Sequence, residues 1–174
     1  STQAKTLFPY TTLFRSGRRT LAEPVAVKPL ADKIAGALAK VYAAKGLKFR
    51  VQAADTLRVR ADEGDLYELL GNMLDNASKF ARSEVRLSAT LEQRMLTVVI
   101  DDDGPGFPAG AAERLVKPFE RLDMSRNSVI GGSGLGLSIA KMIADVHRAS
   151  LNFKNKKDGG LRVLIRLPQS ETKL

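Results

Sequence analysis

The sequence predicts an α+β domain with helices layered on one face of a sheet. Three segments, opening at Pro29, Asp62 and Leu135, carry apolar residues at helical spacing. Each is followed by two short stretches that alternate apolar and polar residues, as paired strands do. The predicted order is helix and hairpin three times over, with one long connection before the third helix. At 174 residues, 44% hydrophobic and 27% charged, the chain can build one proper core.

Residues 1–16 are set apart from the fold. Thr6 to Ser16 reads as the in-frame translation of a standard short-read sequencing adapter. On that reading the natural N-terminal part of the protein is missing. Residues 17–28 read as a linker or extended chain broken by Pro24. Pro29 then opens a helix where its missing N–H costs nothing, Leu30, Ile34, Leu38, Val41 and Tyr42 line one face, and Gly46 stops it. Leu47 to Ala53 and Leu57 to Ala61 read as a strand pair, with Asp55 in the turn. Asp62 is the expected N-cap of the second helix, whose first turn carries Glu63 and Asp65.

On that second helix Leu66, Leu69, Leu70, Met73, Leu74, Ala77 and Phe80 gather on one face. Val85 to Ala89 and Met95 to Ile100 are the next strands, turning at Glu92-Gln93-Arg94. Residues 108–133 form a connection too long for a plain loop. Leu135 to Val146 is an apolar helix, and Leu151 to Lys154 and Leu161 to Leu167 are strands joined by a glycine-containing turn. Residues 169–174 read as a tail, leaving a domain at 29–168.

Composition excludes several functions. There is no Cys, hence neither a disulfide framework nor a thiolate metal site. No run approaches the roughly 20 apolar residues of a membrane span. The net charge of +9 is spread without a block of like charges, so nucleic acid is not an expected partner.

Three boxes carry chemistry. On the second helix Glu68, Asn72, Asn76 and Lys79 form a polar stripe opposite the apolar face. Asn is a poor helix former, so two of them one turn apart on a helix need a reason. Amide oxygens suit a hard cation such as Mg²⁺, and a lysine suits a phosphate; taken alone, the stripe fits a solvated face equally well. The second box, Asp101-Asp102-Asp103-Gly104-Pro105-Gly106-Phe107, follows a strand. It lacks the alternating oxygen ligands of a calcium loop. In the third, Gly132-Ser133-Gly134-Leu135-Gly136-Leu137 opens the third helix, where backbone N–H groups and the helix dipole would face an anion.

In this order the three boxes resemble those of the GHKL ATPase superfamily, most closely the catalytic domain of bacterial sensor histidine kinases, over about Pro29 to Pro168. The resemblance implies the Bergerat fold. This is a two-layer α/β sandwich with a mixed, mostly antiparallel sheet, about three main helices on one face, and a flexible lid over ATP. It implies Asn76 as the direct Mg²⁺ ligand, with Asn72 and Lys79 at the phosphates or the metal's water shell. Glu68 matches the general base of hydrolytic relatives and here takes a polar role near the reacting groups. Asp102 would read the adenine amine, Gly104 and Gly106 would let the backbone approach the base, and Phe80 and Phe107 count among the nucleotide-binding residues. Gly132, Gly134 and Gly136 would present backbone N–H groups to the phosphates, and Leu135 and Leu137, in the same nucleotide-binding box, would pack inward.

Lys117-Pro118-Phe119-Glu120-Arg121 resembles the family's phenylalanine box at the base of the lid, and Arg121 and Arg126 are candidates for the γ-phosphate. The chain departs from the family where relatives carry His-Gly-Gly, having His147-Arg148-Ala149. His147, the only histidine, is read as a helix C-terminal cap rather than a phosphoacceptor, because Arg148 and not an acidic residue follows it.

The implied partners are ATP, a dimerisation domain bearing the acceptor histidine, and a downstream response regulator. Membrane attachment is expected only through the missing N-terminal part. This domain would then be cytoplasmic, in a full-length sensor of the inner membrane. A hydrolytic or Ser/Thr-kinase branch of the superfamily, or a non-catalytic nucleotide module, are the rival functions.

Overall fold

The computed structural model describes residues 23–108 and 135–169. Within them the chain runs β1 (Pro24–Ala26), α1 (Val27–Val41), a 3₁₀ turn (Ala43–Lys45), β2 (Lys48–Ala53), β3 (Arg58–Arg60) and α2 (Glu63–Phe80). It continues through β4 (Glu84–Glu92), β5 (Met95–Asp102), α3 (Leu135–Val146), β6 (Ser150–Asn155) and β7 (Leu161–Pro168). The main sheet has the order β2-β4-β5-β7-β6, in which β2 and β4 are parallel and every other pairing is antiparallel.

One sheet face and the helices close a single apolar layer. Strand alternation turns Val85, Leu87 and Ala89 of β4, Leu96, Val98 and Ile100 of β5, and Val163, Ile165 and Leu167 of β7 inward. The 3.6-residue period turns Leu30, Ile34 and Leu38 of α1 and Leu66, Leu69, Leu70, Met73 and Leu74 of α2 onto them. Each such side chain contributes about 1.5–3 kcal/mol on burial. As predicted, Asp62 caps α2, its side chain accepting from the Asp65 N–H at 3.0 Å.

The structure departs from the sequence expectations in several places, the smallest being Val41, expected on the apolar face of α1 but exposed. The stretch read as linker or extended chain supplies extended β1, but α1 begins already at Val27, so Pro29 lies inside its first turn rather than opening it. The predicted hairpin of the second and third strands does not form: β3 pairs β1, and β2 pairs β4 across the α2 crossover. Alternation turns Phe49 and Val51 of β2, Val59 of β3 and Val85, Leu87 and Ala89 of β4 away from the exposed side, as the pattern predicts. It cannot name the neighbour, which follows from α2 having to lie on the sheet. Finally, β5 extends through Asp101 and Asp102, so the second box begins inside the sheet and alternation points the two carboxylates in opposite directions.

Candidate functional site

The acid box meets the C-terminal end of α2 and the start of α3 meets the middle of that helix, and glycines mark the two seams. A Cβ on Gly104 would collide with the Phe80 carbonyl oxygen at the end of α2. A Cβ on Gly136, in the first turn of α3, would lie 2.9 Å from the Asn72 amide oxygen. Only residues without a side chain allow the acid box and α3 to approach the Asn helix this closely.

On α2 the polar stripe is partly inside the fold. Asn72 is buried, and its amide nitrogen donates to the Glu68 carbonyl oxygen at 2.8 Å, which leaves the amide oxygen toward Gly136. Asn76 is half-buried, and its side chain has no hydrogen-bond partner among the described residues. Glu68 is half-buried and Lys79 exposed. The Lys79 ammonium lies 3.1 Å from Asp75, a residue the sequence reading passed over. Asp75 also accepts from the Tyr42 hydroxyl at 2.7 Å, and burial together with this carboxylate pushes the phenol well above its ordinary value. Lys45 donates to the carbonyl oxygens of Ser78 and Lys79, satisfying the C-terminal end of α2 from α1's side. The stripe is thus held from behind by Tyr42, Lys45 and Asp75.

The acid box resolves into three roles. Asp101 faces outward in a two-bond pairing with Arg162, at 2.8 and 2.7 Å. Asp103 accepts from the Arg82 and Ser83 N–H groups and from the Ser83 hydroxyl, tying the α2–β4 turn. Burial pushes the Asp103 carboxyl up, but these bonds outweigh it and hold it well below the ordinary carboxylate range. Both flanking carboxylates are thus structural, although residue type and position alone would equally fit solvated side chains. Asp102 alone turns inward, 3% exposed, and burial pushes its carboxyl up against the opposing backbone bonds. Its Oδ1 accepts from Gly104 N at 2.8 Å and Leu161 N at 3.3 Å, and Oδ2 receives neither of these bonds.

The β6–β7 turn closes on this box. Lys156 donates to the Asp102 carbonyl oxygen at 3.1 Å, and Gly160, with φ +90°, packs on that same oxygen where no side chain fits. Phe107 is held by Asn155 and by the ring of Phe153. Sequence gave no signal for these contacts, because they join positions about fifty residues apart.

Gly106 adopts φ +73°, and Leu137 packs against the core. Gly132, Gly134, Arg121 and Arg126, together with the Leu135 side chain and the expected lid, lie outside the described residues. His147 bonds through Nε2 to Asp65 at 2.6 Å, so it ties the end of α3 to the start of α2 rather than capping its own helix.

The donor set suits a hard cation that takes most of its ligands from a nucleotide and water. Asn76 offers an unpartnered amide oxygen, and among the described residues no group of three or more His, Cys, Asp or Glu side chains is placed to hold a metal by itself. No helix among the described residues is long and apolar enough to cross a membrane.

The family model described as "Histidine kinase-, DNA gyrase B-, and HSP90-like ATPase" matches residues 61–171. The sensor protein kinase CarS of Pseudomonas aeruginosa is 42% identical over 112 residues, which is 64% of this chain and 24% of that protein. The sensor protein PhoQ of Escherichia coli K12 is 32% identical over 149 residues, 86% of this chain and 30% of that protein. The chain therefore spans about a quarter to a third of the length of these curated relatives. Among solved structures, the mycobacterial sensor histidine kinase MprB superposes with a TM-score of 0.70 at 24% identity, covering 87% of this chain and all of that one. The nucleotide-free catalytic domain of histidine kinase ThkA gives 0.72 at 20% identity, covering 86% of this chain and 97% of that one. These likenesses establish the Bergerat fold.

Proposed function

The chain belongs to the histidine kinase-, DNA gyrase B- and HSP90-like ATPase family, and from that premise we propose that it is the ATP-binding catalytic domain of a two-component sensor histidine kinase. The observation that carries this reading is the placement of three kinds of group along the C-terminal half of α2. They are the unpartnered Asn76 amide, the inward carboxylate of Asp102, and the Gly136 end of α3. Together they supply a metal ligand, a base reader and a backbone cradle for phosphates.

Asp102 Oδ2 would accept from the exocyclic amine of adenine, while Gly104 and Gly106 let the backbone approach the ring. Asn72 and Asn76 would face the phosphates and their Mg²⁺, which when bound neutralises phosphate charge. Lys79 is poised to exchange Asp75 for a phosphate, and Glu68 would orient the incoming imidazole or a water. The γ-phosphoryl group would pass to a histidine nitrogen on a separate dimerisation domain, the P–O bond to ADP breaking as the N–P bond forms. Arg121 and Arg126 are the candidates to meet the charge on that group. The curated relatives, named as sensor proteins, support the sensor-kinase branch. A membrane-bound, cytoplasm-facing sensor and a downstream response regulator belong to the same proposal.

The test is a labelling experiment with γ-labelled Mg·ATP. The chain alone should remain unlabelled. Adding a histidine-bearing dimerisation domain from a matched sensor kinase should give acid-labile label on that domain. Asn76→Ala should abolish both the labelling and Mg·ATP binding in calorimetry. Release of inorganic phosphate without protein label would favour the hydrolytic branch, acid-stable label the Ser/Thr-kinase branch, and label on His147 would overturn the trans mechanism.

A further inference from the structure

We propose that Asn155, at the end of β6, is a positioning residue for adenine selection, acting as an amide clamp on the loop that follows Asp102. The proposal rests on the nucleotide reading above and concerns how that site holds its base-reading loop in register.

The clamp is two-sided. The Asn155 Oδ1 accepts from the Phe107 N–H at 2.8 Å, and its Nδ2 donates to the Phe107 carbonyl oxygen at 2.8 Å. A side-chain amide that satisfies both backbone groups of one residue does the work of a neighbouring strand in a segment that has none. Two residues back on the same face of β6, Phe153 meets the Phe107 ring edge-on, with centroids 6.0 Å apart. One strand therefore holds Phe107 by backbone and by ring together.

The clamp also dictates the residue before it. Gly106 has φ +73°, and a Cβ there would stand 2.6 Å from Asn155 Oδ1. Gly106 thus lies directly beneath the amide, and the clamp fixes the height of the backbone beside Asp102. The same turn reaches the base of the loop through Lys156 to the Asp102 carbonyl and Leu161 N–H to the Asp102 carboxylate. Asp102 and Phe107 bracket the proposed adenine position, and both are referenced to one hairpin. Losing Asn155 frees the Phe107 end while leaving the Asp102 end and the phosphate face intact. Such a change should alter discrimination between bases more than affinity for phosphates.

The experiment measures ATP and GTP affinities by calorimetry for the full chain, Asn155→Ala and Asn155→Asp, with melting temperatures alongside. Asp keeps the size and the acceptor but cannot donate to the Phe107 carbonyl, so it tests the clamp without opening space. The expected result is ATP binding weakened about fivefold in both variants, GTP binding unchanged, and melting temperatures close to wild type. The ATP-to-GTP preference would then fall by the same factor. ATP binding equal to wild type in both variants would overturn the clamp. So would an equal loss for ATP and GTP, which would make Asn155 merely structural. A wild-type chain that binds neither nucleotide would instead remove the nucleotide reading, and the clamp with it.

Discussion

At Asp102 stability and binding pull in opposite directions. Burial raises its folded-state pKa above the ordinary carboxylate value. A group raised in this way binds its proton more tightly in the folded chain than in the unfolded one. Its stabilising contribution is therefore present at low pH and is lost as pH rises through the raised value. Adenine recognition requires the ionised form, so the site operates where this residue costs stability. Two outcomes are expected. ATP affinity should decline on acidification at a higher pH than an ordinary carboxylate would give, measured by calorimetry across the acidic range. Asp102→Asn keeps an acceptor for Gly104 and sheds the buried charge. It should therefore melt at or above the wild-type temperature while losing its preference for ATP over GTP. Equal preference in mutant and wild type would refute the base-reading role.

At the scale of the element, the end of α3 shows what the departure from the family pattern costs. Arg148 takes φ +55°, the left-handed region that favours glycine. The Arg148 N–H donates to the Asp145 carbonyl and the Ala149 N–H to the Ala144 carbonyl, the bond pattern of a helix that closes on a left-handed residue. The chain therefore keeps the turn that a glycine would make without strain. Arg148→Gly is expected to stabilise the fold by about 0.5–1 kcal/mol in urea denaturation, without changing nucleotide affinity. A destabilised variant would mean that the arginine side chain contributes more than its backbone costs. The β4–β5 hairpin repeats the theme at Gln93 and Arg94, both with positive φ in a two-residue turn.

At the scale of the whole molecule, α2 belongs at once to the core and to the site. Its inward face packs Leu66, Leu69, Leu70 and Met73 onto the sheet while Asn72 and Asn76 stand on the other side. Leu70→Ala, at a fully buried position, should cost about 2–5 kcal/mol in denaturant unfolding, with the slope of the transition unchanged. Below its own transition the variant should still bind ATP, because no site group contacts the nucleotide through Leu70. Loss of ATP binding in a variant still folded by circular dichroism would show that packing and site are coupled through the helix.

The sequence by itself determined the helices, the inward faces of β2 and β4, the Asp62 cap and the three boxes. These are local matters of period, capping and residue chemistry, read within one turn or one strand. It also marked Asp102 as the carboxylate to watch. Only the tertiary structure decided that β2 pairs with β4 rather than β3, because strand alternation encodes a face and not a neighbour. Only the tertiary structure separated the acidic triplet into an outward ion pair, an inward carboxylate and a turn tie, since β5 runs two residues further than its apolar run. Asp75 could have been read from its four-residue spacing to Lys79. Asn155 could not, because its partner Phe107 is 48 positions away and becomes its neighbour only when β6 folds against the end of the acid box.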